Sequence, residues 1–199
     1  MSLELNPHDA VVIADTQAWV QRAVIGLNLC PFAKSVVVKG QVRYVVSHAS
    51  GAKPLLADLK RELLALAAAD PVLLDTTMLM APDGFADFLD FNELLARTDK
   101  LLMDLDLDGV LQIASLHPRY QFADTDPEDI TNFTNRSPYP TLHLIREASI
   151  DKAVAAFPEP EAIFETNMQT LETLGLAGWA ALEVGPTAEP TPASAPSKS

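Results

Sequence analysis

The residues best suited to chemistry lie in one polar stretch of the chain, residues 117–140, which we call the polar loop. It combines a histidine, two arginines and two asparagines with several acidic residues and four aromatic side chains. The stretch has neither helical nor strand periodicity, and it is longer than most connections inside a compact domain. Loops of this length are usually functional or disordered, and aromatic residues with surface to bury favour an ordered loop. We therefore expect a binding or catalytic site here.

His117 begins the polar loop and directly follows a predicted strand. In α/β proteins, ligands bind in crevices at the carboxyl ends of strands, and a histidine titrates near neutral pH. His117 is therefore the candidate general acid or base. The alternative is a structural histidine that orients the turn at Pro118 through hydrogen bonds.

The arginines of the polar loop are candidates for binding an anion, because a guanidinium group binds carboxylate or phosphate with two parallel hydrogen bonds. Arg136 is the stronger candidate, since neutral hydrogen-bonding side chains flank it rather than acids. The predicted ligand-binding residues are Arg136, Asn132, Asn135, Ser137, Tyr120 and Arg119. In the alternative interpretation, acidic residues of the loop neutralise its arginines, and its asparagines satisfy the loop's own backbone.

Cys30, the single cysteine of the sequence, follows the end of the first predicted helix. It is a candidate catalytic nucleophile if His117 or His143 lies beside it and accepts its proton. A cysteine also packs well as a small buried apolar residue, and a position at a helix C-terminus does not favour a thiolate. Both interpretations stay open at this point.

His143 lies within a predicted strand, where a half-buried histidine satisfied by the protein is the common case. Together with His117 and a carboxylate of the polar loop it could form a metal site. Neither histidine belongs to a ligand spacing such as H-E-x-x-H, and no P-loop or G-x-G-x-x-G pattern occurs. The sequence therefore predicts no metal and no cofactor.

The net charge and the apolar content narrow the classes of partner. The 199 residues carry a formal net charge of −13, and 48% of them are hydrophobic. The 14 lysines and arginines are scattered, so we expect neither nucleic-acid binding nor attraction to an anionic membrane. A signal peptide, a long apolar span and a second cysteine are all missing, which is typical of a cytoplasmic protein.

Periodicity and turn residues divide the chain into alternating strands and helices. Asn6 and Pro7 indicate the start of the first helix by capping. Further helices are expected near residues 55–69, 85–105, 149–157 and 160–175, and strands at 36–48 (one or two segments), 76–81, 110–116 and 141–146. Strand–helix alternation predicts parallel pairing, whereas the fourth strand follows the third without a long helix and should pair antiparallel to it.

The sequence thus predicts an α/β fold in a single domain, residues 1–184. We expect a mixed, mostly parallel sheet of about four strands with helices packed on it. Residues 185–199 are rich in proline, alanine and serine and should form a disordered tail, because they cannot bury enough apolar area to offset the entropy of ordering.

Three stretches carry a resemblance to a known family. They are residues 26–33 (GLNLCPFA), which we call the Cys30 segment, residues 117–123 (HPRYQFA) and residues 132–144 (NFTNRSPYPTLHL). With these motifs the chain resembles a bacterial family known as domain of unknown function 1415. The resemblance implies no activity, and it marks the Cys30 segment and the start of the polar loop as landmarks.

The leading prediction for function is an enzyme acting on, or a binder of, a small anionic metabolite in a pocket formed by the polar loop and the Cys30 segment. The alternative is a non-catalytic structural or interaction module whose polar loop satisfies only itself. The side chains of Asn132, Asn135 and Arg136 distinguish the two. If all their polar atoms are paired to protein and no cavity lies beside them, the module is favoured.

Overall fold

The computed structural model describes residues 6–156 and 161–188, which form six α-helices and one four-stranded sheet. The helices are α1 (Pro7–Trp19), α2 (Ala33–Val38), α3 (Ala52–Ala68), α4 (Phe88–Asp104), α5 (Glu147–Ala156) and α6 (Glu161–Ala180). The strands are β1 (Val42–Val46), β2 (Thr76–Met80), β3 (Leu111–Leu116) and β4 (Thr141–Arg146). Within these two ranges, no helix combines the length and the apolar character that crossing a membrane requires.

The N-terminal helix starts as the sequence predicts and then changes its hydrogen-bond pattern. The Oδ1 of Asn6 accepts a hydrogen bond from the N–H of His8 at 3.1 Å, and Pro7 occupies the first helical position. After Trp19 the chain continues as a π-helix, Val20–Ile25. π-Helical segments are rare and often occur at functional sites.

Part of the segment expected to be extended is helical instead. Residues 36–38 belong to α2, and only Val42–Val46 of the expected stretch 36–48 form a strand. Three consecutive valines lower helix propensity only slightly. The packing of α2 against the π-helix outweighs that preference.

The sheet has the order β1-β2-β4-β3 and mixed direction. β1 and β2 pair in parallel, whereas β4 pairs antiparallel with both β2 and β3. The predicted antiparallel pairing of β3 with β4 is therefore confirmed, but the expectation of a mostly parallel sheet is wrong. The reason is topological: the polar loop reverses the chain, and β4 then inserts between β2 and β3 rather than extending the edge.

Helices cover both faces of the sheet, so its strands carry apolar residues on both sides. On one face α3 and α4 pack against β2 and β4, and Leu63, Leu79, Phe91 and Leu144 are fully buried there. On the other face α1 and the π-helix contribute a second core that includes Trp19. Burying each such leucine stabilises the fold by about 2 kcal/mol.

The chain after α6 returns to α1 and is held there by hydrogen bonds. The N–H and hydroxyl of Thr187 donate to the two carboxylate oxygens of Asp15, both at 2.7 Å. The hydroxyl of Tyr139 donates to the same carboxylate at 2.5 Å. These hydrogen bonds hold residues 187 and 188, which belong to the predicted tail, against the rest of the chain. The rest of the predicted tail, residues 189–199, lies outside the described residues.

Candidate functional site

A cavity of about 550 Å³ lies on the sheet face that α1 and the π-helix cover. The floor is formed by β1, β2 and β4. The walls are formed by the π-helix, the Cys30 segment, α2, the polar loop, α5 and α6. The lining is mostly apolar and includes Trp19, Val24, Leu29, Val37, Met78 and Phe164. Most of these residues belong to elements far apart in the sequence, and the fold brings them together.

The cavity contains few charged groups. Asp75 is the one carboxylate among the described lining residues, and its Oδ1 accepts a hydrogen bond from the hydroxyl of Ser149 at 2.6 Å. No lysine or arginine occurs among the lining residues that the structure describes. An anionic ligand would therefore find no opposite charge here.

His143 lies on the cavity floor with one ring nitrogen bound to Thr76. The hydroxyl oxygen of Thr76 lies 2.6 Å from the carbonyl oxygen of Leu144 and 2.7 Å from Nε2 of His143. Because a carbonyl only accepts, the hydroxyl must donate to Leu144 and accept from Nε2–H. Nδ1 of His143 is therefore the unprotonated nitrogen, and no group in the described part of the chain is hydrogen-bonded to it.

The imidazole of His143 stays uncharged at neutral pH. Its surroundings are densely packed, and this burial lowers the pKa of His143 to about 4, although the nearby carboxylate of Asp75 opposes the shift. A neutral imidazole with an unprotonated Nδ1 is a hydrogen-bond acceptor inside an otherwise apolar cavity. This arrangement can fix one donor group of a ligand.

Two residues predicted as site residues line the same cavity. Cys30 is partly accessible, and the amide of Asn167 on α6 donates to the neighbouring carbonyl of Leu29 at 2.8 Å, which anchors the Cys30 segment. Asn135 of the polar loop also lines the cavity. Its side-chain amide makes no hydrogen bond to the residues described, so its donor and acceptor are both available to a ligand.

His117 lies elsewhere, and both of its ring nitrogens are engaged. Nδ1 accepts from the N–H of Arg119 at 3.0 Å, so the proton is on Nε2, which donates to the carbonyl of Phe85 at 2.8 Å. The ring is 1% exposed and packs between Phe88 and Phe91 at 5.4 Å from each ring centre. Burial is the largest of the effects that together lower the pKa of His117. A catalytic role stays a prediction, but this geometry leaves it no free nitrogen.

Arg136 and Asn132 are likewise used within the polar loop. Nε of Arg136 donates to the carbonyl of Tyr120 at 3.1 Å, and Nη2 donates to that of Pro127 at 2.5 Å. The guanidinium also lies 4.2 Å from the ring centre of Phe133, a cation–π contact. Asn132 is fully buried and makes three side-chain hydrogen bonds within the loop. These residues satisfy the loop itself, as the alternative interpretation expects.

The remaining predicted residues also have structural partners. The hydroxyl of Ser137 donates to the carbonyl of Tyr139 at 2.7 Å, and the ring of Tyr120 packs on Phe122 and on α4. Arg119 is exposed and donates to a backbone carbonyl just before α4. Of the predicted site residues, only Cys30 and Asn135 line the cavity.

The sequence did not indicate Thr76 as a partner of His143, nor that Nδ1 of His143 would be left without a hydrogen bond. Strand alternation correctly places His143 on one face with Thr141 and Ile145. Its pairing with Thr76 depends on the register of β4 against β2, for which the sequence contains no local signal.

Comparison with known proteins gives one match. A family described as "Protein of unknown function (DUF1415)" matches residues 11–181. The matched range includes every residue that lines the cavity, from Trp19 to Asn167. No curated protein and no solved structure matches the chain.

Proposed function

The chain belongs to the DUF1415 family of proteins of unknown function, and we propose that it binds a small, uncharged, largely apolar molecule in the cavity beside His143. The observation that carries the proposal is the unprotonated Nδ1 of His143 at the floor of an apolar cavity. An acceptor nitrogen that borders a cavity without a protein partner is a position where the donor group of a ligand can bind.

The size and lining of the cavity support a small-molecule ligand. A volume of about 550 Å³ lies within the range of ligand pockets, which is roughly 300–1,000 Å³. Such pockets combine an apolar lining with a few polar groups that orient the ligand. Here those groups are His143 and Asn135.

The charge of the lining argues for an uncharged ligand. The sequence led us to expect a small anion held by Arg136, but this guanidinium is bound to carbonyls of the polar loop. Within the cavity the imidazole is neutral and the charged group is Asp75. A carboxylate or phosphate would lose its hydration there without gaining a cation, so a hydroxyl or N–H that donates to Nδ1 fits better.

A second candidate function is thiol chemistry on the bound molecule. Cys30 and the unprotonated Nδ1 of His143 line the same cavity, and a histidine nitrogen that accepts the proton of a thiol can activate it as a nucleophile. Cys30→Ala separates the two candidates. A binding protein keeps its affinity in this variant, whereas an enzyme of this kind keeps binding and loses turnover.

A thermal-shift screen with uncharged aromatic alcohols and amides tests the proposal, with the matched carboxylates as comparison ligands. We expect neutral compounds to raise the midpoint of the wild type and of Arg136→Ala, but not of His143→Leu, because a ligand stabilises only a protein that binds it. Carboxylates that stabilise the wild type, and lose this effect in Arg136→Ala, would overturn the proposal.

Because the chain has a single cysteine, Cys30 also reports directly on occupancy of the cavity. A compound bound beside it should slow alkylation of the thiol by iodoacetamide, as measured by mass spectrometry of the intact protein. A compound that stabilises the protein without slowing alkylation binds at another place.

A further inference from the structure

Four ionisable side chains meet at the carboxyl ends of β1 and β2, away from the residues that line the cavity. His8 and Asp9 lie in the first turn of α1, His48 lies two residues after β1, and Asp83 lies three residues after β2. We call them the carboxyl-end cluster. The crevice outside the carboxyl ends of parallel strands is a common place for ligands in α/β folds.

The donor atoms of the carboxyl-end cluster are close together. Nδ1 of His48 lies 2.6 Å from Oδ2 of Asp83, and Nε2 lies 3.0 Å from Oδ1 of Asp9. His8, His48 and Asp83 each offer one ligand atom, and these three atoms lie within 4.8 Å of one another. Two imidazoles and a carboxylate form the ligand set of many zinc and iron sites.

The backbone holds these side chains in place. The Asn6 cap fixes the first turn of α1 and with it His8. The turn after β2 approaches the segment after β1 so closely that a Cβ on Gly84 would lie 2.6 Å from the carbonyl oxygen of Ala49. Glycine is therefore required at residue 84, and the close approach brings Asp83 to His48.

His8 provides an independent indication of a ligand. Both of its ring nitrogens are enclosed, and neither has a hydrogen-bond partner among the residues described. The carboxylate of Asp9 lies 3.8 Å from Nδ1, which is too far for a hydrogen bond. The side chain of His8 as a whole is 22% exposed, but ring nitrogens shielded from solvent without a partner are unfavourable, and coordination of a metal by one of them would satisfy it.

We propose that His8, His48 and Asp83 bind a divalent transition-metal ion of the Zn²⁺ type. Asp9 then accepts a hydrogen bond from the second nitrogen of His48, as carboxylates commonly do behind metal-bound histidines. Tetrahedral bonds of about 2.0–2.2 Å place the donor atoms roughly 3.4 Å apart. Side-chain rotation must therefore bring the ring nitrogen of His8 closer and separate Nδ1 of His48 from Oδ2 of Asp83, which are now 2.6 Å apart. The side chain of His48 is 49% exposed, so solvent can reach the remaining coordination position.

Without a metal the carboxyl-end cluster has a different explanation. A protonated His48 would pair with Asp9 and Asp83, and His8 would pack beside it without polar partners. In that case added metal neither binds stoichiometrically nor stabilises the protein. The two explanations therefore differ in a measurable quantity.

The test uses the full chain without a histidine tag, treated with a chelator and then titrated with Zn²⁺, with Mg²⁺ as the comparison ion. We expect one equivalent of Zn²⁺ by calorimetry and by elemental analysis after gel filtration, and a rise in the thermal midpoint. Mg²⁺ should have no such effect, because it disfavours imidazole ligands.

His8→Gln and His48→Gln should weaken Zn²⁺ binding at least 100-fold, whereas the control Asp104→Asn, at an exposed carboxylate of α4, should bind as the wild type does. His8 lies in the first turn of a helix, so its variant tests the proposal even if His48→Gln unfolds. Absence of stoichiometric Zn²⁺, or binding that survives in His8→Gln, would overturn the proposal.

Discussion

His117 and His143 belong to two paired strands of the sheet: His117 directly follows β3, and His143 lies within the adjacent strand β4. Both are surrounded by protein, and burial lowers the pKa of both. The difference is the number of ring nitrogens that the protein uses. The protein binds both nitrogens of His117 but only Nε2 of His143, so only His143 has hydrogen-bonding capacity left for a ligand.

The same difference separates the asparagines of the polar loop. The amide of Asn132 forms hydrogen bonds with backbone and side-chain groups of the loop. The amide of Asn135 faces the cavity and forms none with the described residues. A high density of polar residues in a sequence therefore does not identify a binding site. What identifies it is polar capacity that the folded protein leaves unused next to a space for a ligand.

The largest expected effect comes from replacing each histidine by alanine. His117→Ala removes a fully buried ring with two hydrogen bonds, and we expect it to lower the free energy of unfolding by about 3–5 kcal/mol. His143→Ala removes a ring that already borders a cavity, so about 1–2 kcal/mol is expected. Urea denaturation at pH 7 measures both. Equal losses would contradict the proposed difference between the two residues.

The contribution of His143 to the free energy of unfolding should depend on pH. The unfolded chain binds a proton at this ring near pH 6.5, but the folded protein binds it only near pH 4. Between these values protons favour the unfolded state, so the contribution of His143 to stability falls on acidification by up to about 3 kcal/mol.

The measurement compares the free energy of unfolding of the wild type and His143→Gln from pH 7 to pH 4. The wild type should lose more stability than the variant, because glutamine does not titrate. Other titrating groups affect both proteins alike, so the difference isolates this ring. Parallel curves would show that His143 is not held neutral in the folded protein.

A smaller effect distinguishes the two asparagines. Asn132→Ala leaves buried groups of the polar loop without partners, and we expect a loss of about 2 kcal/mol. Asn135→Ala should change the stability by less than about 0.5 kcal/mol and weaken ligand binding instead. Denaturation curves give the first quantity, and thermal shifts with a bound compound give the second. If Asn135→Ala is the more destabilising change, the assignment of roles is wrong.

Local features of the fold could be predicted from the sequence. The bounds of β4, residues 141–146, coincide with the prediction, and β2 and β3 agree to within one residue at each end. Capping by Asn6 correctly starts the first helix. These features depend on periodicity and on capping chemistry, which act within a few residues.

The features that were predicted wrongly depend on contacts between residues that are distant in the sequence. The valines at 36–38 have a high propensity for strands, but packing against the π-helix stabilises a helix there. The central position of β4 follows from which strand edges are covered, and local sequence does not contain that information. The polar loop and the Cys30 segment, between which the sequence predicts a pocket, both line the cavity. The contributions of the sheet, α5 and α6 were not predicted, since each apolar residue there is typical of a core.

The hydrogen bonds from Thr187 to Asp15 have a consequence for chain connectivity. They place Thr187, near the last described residue, beside Asp15 of α1, which follows the first described residue by nine positions, or roughly 14 Å along the helix. A protein with adjacent ends tolerates circular permutation. A short linker could join these ends, and new termini could be opened at Val72 and Leu73, which are exposed in the turn between α3 and β2. In such a permutant the Cys30 segment would no longer lie near the start of the chain, while the walls of the cavity would stay in place.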